Sequence, residues 1–166
     1  MATPFWLRGP IEDVTPLLQP VAHALLQAGE EVRLAIAGLT PQQLQARPGG
    51  AASVGFHVRH SLGSLDRLFT YARGEALSES QLATLAEEKN QERTDTPELL
   101  GTMYAAGVDR ALAQLRATPE KALLDKREVG RAKLPSNVIG LLVHAAEHTA
   151  GHAAQTVTTA KIVRGT

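Results

Sequence analysis

The stretch VHAAEHTAGHAAQ, residues Val143 to Gln155, holds three of the chain's six histidines. Read as a helix, it places His144, His148 and His152 four residues apart on one stripe. Four residues advance a helix by ~400°, a net drift of only ~40°. Leu141 and Ala145 lie close to that stripe and Val138 and Thr156 flank it, so it is expected to face inward. Two imidazoles at i and i+4 can converge on one metal ion. The outer two of three cannot, because they stand two turns, ~12 Å, apart. A lone inward histidine is ordinarily a hydrogen-bonded core residue. Three on one stripe leave many buried donors and acceptors to satisfy, which weighs toward a metal.

Working outward, the pattern predicts four long helices. The first spans about Val14 to Ala37, with a start as late as Pro20, because proline is tolerated only in a first turn. Gly38 stops it, and Thr40-Pro41-Gln42-Gln43 reads as a capped short helix. The second long helix spans about Ser53 to Arg73 and carries His57 and His60, three apart on one face. A short helical piece over Glu79 to Glu88 interrupts a polar stretch, and Thr96-Pro97-Glu98 starts the third long helix, which runs to about Ala117. Residues 119–136 read as irregular and charged, with a brief extended or helical piece. The fourth helix follows Leu134-Pro135-Ser136 and continues to about Val163. The expected fold is all-α, a four-helix bundle in a single domain over residues 1–166.

Composition agrees with that class. Hydrophobic residues make up 43% of the chain but aromatics only 4%, so the core is built from Leu, Val and Ala, a helix-favouring set. Seventeen basic residues balance seventeen acidic ones, which argues against nucleic-acid and membrane-surface partners. The chain has no cysteine, excluding disulfides, thiolate ligands and a cysteine nucleophile. The opening MATPFWLRGP lacks a signal-peptide core and no apolar run approaches the ~18 residues of a membrane span, so a cytoplasmic location is expected.

Facing helices in a bundle lie ~8–10 Å apart, within imidazole reach of a shared ion. Two ligands from the fourth helix and one of His57 or His60 from the second give three nitrogen ligands, an arrangement that leaves a fourth position for solvent or substrate. If both His57 and His60 bound, the site would be closed and structural. A di-iron carboxylate site is excluded because no histidine has a glutamate three residues before it. His144-Ala-Ala-Glu147-His148 matches the H-x-x-E-H peptidase pattern, but none of the eighteen residues after His148 is the acidic third ligand that chemistry needs. Asp66 and Asp109 are candidates to orient a ligating imidazole, Gln155 is a candidate contact beside it, and His23 reads as peripheral.

Three segments together carry a family resemblance. Gly38-Leu39-Thr40-Pro41-Gln42-Gln43-Leu44-Gln45-Ala46-Arg47-Pro48 is similar to a GL-x-x-x-x-L-x-x-x-P linker. Ser53-Val54-Gly55-Phe56-His57-Val58-Arg59-His60 is similar to an S-[IV]-G-x-x-x-x-H helix start. His148-Thr-Ala-Gly-His152-Ala-Ala-Gln155 is similar to H-x-x-x-H-x-G-Q, with Ala154 in place of the glycine. In this order the chain resembles the DinB/YfiT-like superfamily. The resemblance implies a four-helix bundle holding one divalent metal on His60, His148 and His152; zinc or nickel would suit such nitrogen ligands. His144 then matches a position that is usually not a ligand, and His57 has no secure counterpart: it either replaces His60 or hydrogen-bonds beside the site. The resemblance also implies a metal-dependent enzyme. Characterised relatives transfer low-molecular-weight thiols such as bacillithiol or mycothiol, and related bundles are often homodimers. Metal-dependent hydrolysis and a purely structural metal are the competing expectations.

Overall fold

The computed structural model describes residues 3–88 and 94–165. Its helices are α1 (Gln19–Ile36), α2 (Pro41–Gln45), α3 (Val54–Ala72), α4 (Glu79–Glu87), α5 (Pro97–Ala117) and α6 (Val138–Arg164), with a hairpin of β1 (Lys126–Val129) and β2 (Leu134–Asn137) before α6. The four long helices make the bundle. Each of α1 and α3 packs against both α5 and α6.

Local chemistry sets the helix starts. Pro16 opens a single 3-10 turn, and α1 begins at Gln19 with Pro20 in its first turn, so the later of the two expected starts holds. Thr40 accepts from the Gln43 amide at 3.2 Å while the Gln43 side chain accepts from the Thr40 amide at 2.9 Å, a complete capping box. Ser53, Thr96 and Asn137 cap α3, α5 and α6 through their side-chain oxygens.

The segment expected to be irregular, with a brief extended or helical piece, holds an antiparallel hairpin pairing Lys126 with Asn137 and Val129 with Leu134. Lys133 N–H donates to Gly130 O in its turn, where Gly130 has φ +69°. Arg127 Nε donates to Ala72 O at 2.8 Å, tying the hairpin to the end of α3.

The core is aliphatic. Leu25, Val32 and Ile36 of α1, Val58 and Leu65 of α3, Leu100 and Leu115 of α5, and Leu142 of α6 are all buried. Each such Leu or Ile contributes roughly 1.5–3 kcal/mol by leaving water. Beyond its first turn, α6 buries mainly small residues: Ala145, Ala146, Thr149, Ala153, Thr156 and Ala160. Small side chains let its neighbours approach closely. Gly107 does the same for α5, since a methyl group there would collide with Leu62 of α3.

Candidate metal centre

The Ser53 cap fixes the phase of α3, so His57 and His60 occupy its first two turns. Phe56 stacks flat on the His60 ring, with centroids 5.3 Å apart and planes 5° off parallel. Across the interface, His148 and His152 project from α6 at the edge of its small-residue face. The imidazoles meet. His60 Nε2 lies 3.2 Å from His148 Nε2. His57 Nδ1 lies 3.0 Å from His152 Nδ1. One ring nitrogen from each of His60, His148 and His152 falls within 4.8 Å of the other two, so this group could hold a metal ion.

The expectation that the whole stripe faces inward is corrected at its N-terminal end. His144 keeps 60% of its side chain exposed and sits 3.6 Å from the exposed Glu147. The ~40° drift per four residues accounts for this. It carries His152 nearest the core, leaves His148 at the rim and turns His144 outward; the His144 and His148 ring centroids are 5.9 Å apart. Gln155, expected to touch the site, is exposed and bonds none of the histidines. It sits ~60° back from His152, on the outer side of the helix. Ala154, the departure from the family pattern, is exposed as well. His23 bonds Gly9 O at 2.9 Å, anchoring the N-terminal segment away from the site.

Asp66 and Asp109 do not orient an imidazole. Asp66 accepts from Gln81 Nε2 at 2.6 Å, and Asp109 is exposed on α5. Among the described residues, the carboxylate that reaches the site is Glu88, just past the end of α4, whose Oε2 lies 2.7 Å from His60 Nδ1. Its sequence signal is faint: an acidic side chain at a helix C-terminus is disfavoured by the macrodipole and so needs a partner elsewhere.

The electrostatics favour neutral rings. Burial, then the neighbouring His148, His60 and His57, pushes His152 down from 6.5 to about 4. Burial lowers His148 too, followed by His60, His144 and Arg67, and burial followed by His60 lowers His57. Neutral imidazole is the metal-binding form. The spacing also fits: two nitrogens ~2.0–2.1 Å from a tetrahedral ion lie about 3.3 Å apart, and the His60–His148 pair stands at 3.2 Å.

A four-helix bundle with three imidazoles converging from two of its helices defines the structural class. The sequence model of the DinB superfamily matches residues 24–156, and the chain belongs to that superfamily. The matched span contains His57, His60, His148 and His152. A solved structure described as the conserved protein of locus from Enterococcus faecalis is similar in fold, with a TM-score of 0.68 at 22% identity over 90% of this chain and 98% of its own. Comparison with curated proteins gives no match. Among the described residues, no helix is long and apolar enough to cross a membrane.

Proposed function

We propose that the chain is a metal-dependent enzyme whose His60, His148 and His152 hold one divalent ion, zinc or nickel, and which transfers a low-molecular-weight thiol to a small electrophile. The observation that carries this reading is the convergence of three ring nitrogens within 4.8 Å of one another from two helices. His152 Nδ1 is engaged by His57, which leaves Nε2 as its remaining nitrogen. Among the described residues, the nitrogens that lie within 4.8 Å of one another come from His60, His148 and His152 and not from His57, which supports a three-ligand site with an open position over a closed structural one. A divalent ion on three neutral ligands keeps its charge and favours the thiolate form of a thiol, or hydroxide over water. The chain's own residues supply the rest. His57 holds the His152 ring, Phe56 holds the His60 ring, and the bundle keeps both helices at fixed separation.

A panel of small thiols, each with a model electrophile, on metal-replete and metal-stripped protein tests the reading. Conjugation that requires both the metal and one thiol supports the transferase. Hydrolysis of a simple ester or amide with no thiol reaction replaces it with a hydrolase, and inactivity in both assays removes the enzyme assignment. We further propose a cytoplasmic location and a homodimeric state; a monomer mass in solution at high micromolar concentration would refute the dimer.

A further inference from the structure

We infer that Glu88 is a positioning residue for His60, seated in a slot that α3 leaves open at Gly63. Glu88 is only 7% exposed, so its carboxylate has left water and needs partners. It has two. Oε2 takes the hydrogen bond from His60 Nδ1 at 2.7 Å, and Oε1 pairs with Arg67 Nη1 at 2.6 Å. These partners lie seven residues apart on α3, about two turns, with Gly63 between them. A methyl group at Gly63 would stand 2.6 Å from Glu88 Oε1 and 2.9 Å from Arg67 Nη1. The missing side chain at Gly63 is therefore the space the carboxylate fills.

The chemistry of the contact is directional. A carboxylate oxygen facing Nδ1 accepts, so of the two neutral tautomers of His60 the contact selects the one with the proton on Nδ1 and the bare lone pair on Nε2. That lone pair points at the His148 ring, 3.2 Å away nitrogen to nitrogen. Glu88 thus selects the His60 tautomer that can bind a metal and fixes the ring's angle, while Phe56 fixes its plane. Arg67 holds the second oxygen and offsets the carboxylate's charge, so the anion need not compete with His60 as a ligand.

The tautomer selection stands on the metal-free geometry; its effect on affinity rests on the three-histidine reading above. Nitrogen-15 NMR of metal-free wild-type protein near neutral pH is expected to show His60 protonated at Nδ1 and bare at Nε2. The opposite tautomer overturns the inference whatever the metal does. Zinc titration is then compared for wild type, Glu88→Ala, Glu88→Gln and Gly63→Ala, with each variant's fold checked by circular dichroism. Glu88→Ala is expected to weaken zinc about 10–100-fold with His148 and His152 intact. Glu88→Gln, whose amide oxygen still accepts from Nδ1, should recover much of that loss. Gly63→Ala should reproduce the alanine effect by displacing the carboxylate, and it stands in for Glu88→Ala if that variant does not fold. Affinity within twofold of wild type in either variant overturns the positioning role. Wild type that binds no zinc but shows the expected tautomer refutes the metal-centre reading and leaves the Glu88–His60 coupling standing.

Discussion

His57 and His152 face each other Nδ1 to Nδ1 at 3.0 Å across the α3–α6 interface. Two ring nitrogens at that distance share one proton, so each ring restrains the other's rotation. His57→Ala is expected to keep the metal but weaken it roughly 10-fold, because the His152 ring loses its support. Calorimetric titration with zinc measures this. Loss as complete as that of His152→Ala would make His57 a ligand.

His60→Ala, His148→Ala and His152→Ala should each lose most bound metal, since each removes one of three converging nitrogens. His144→Ala should keep it, because that side chain points to solvent. Elemental analysis of protein purified without a histidine tag reads both outcomes. Depletion in His144→Ala equal to that in His148→Ala would show that the pair on α6 is misassigned.

Metal-free protein should lose stability as the pH falls. His57, His148 and His152 are held below 6.5 in the folded chain, His152 at about 4. Between those values the unfolded chain binds more protons than the folded one, so stability rises with pH through this window. The melting temperature of apo wild type should drop between pH 7 and pH 4, and His152→Ala should flatten that dependence. An equal slope in the variant would place the protons elsewhere.

The bundle was legible because its signals are local and repetitive. The capped turn at Thr40, the start signal at Thr96, and prolines confined to first turns set the boundaries to within a few residues. The meeting of α3 with α6 was legible from histidine spacing. Three things were not. Which way His144 and Gln155 point depends on ~40° of helical drift, finer than a pattern of apolar neighbours resolves. Glu88 is invisible to spacing because it reaches His60 from twenty-eight residues away, through the absence of a side chain at Gly63. The hairpin has the same character: its strands of four residues carry too little alternation to stand out from charged loop sequence.

Metal should stabilise the fold directly. A ligand bound only by the folded chain at about a hundred times its Kd adds roughly 2.7 kcal/mol, about 5–10 °C in Tm for a domain of this size. Zinc should raise the wild-type melting temperature by that amount and leave His148→Ala unmoved. An equal rise in both would mean that zinc binds elsewhere.

Asn137 caps α6 by accepting from Gly140 N–H at 2.8 Å. Asn137→Ala should cost about 1 kcal/mol in chemical denaturation while zinc affinity stays as in wild type, because the histidines lie two turns or more further along. A large affinity loss would tie the cap to the site.

The paired nitrogens of His60 and His148 come from positions 88 residues apart in the chain. No early fragment of the folding polypeptide can hold them together, because closing so long a loop is repaid only when α6 seats its small-residue face between α1 and α3. During synthesis the first long helices leave the ribosome with one half of the site and nothing to complete it. On the three-histidine reading, competence to take up an ion therefore requires α6 docked on α3, so the time course of metal uptake on refolding is expected to report when α6 arrives.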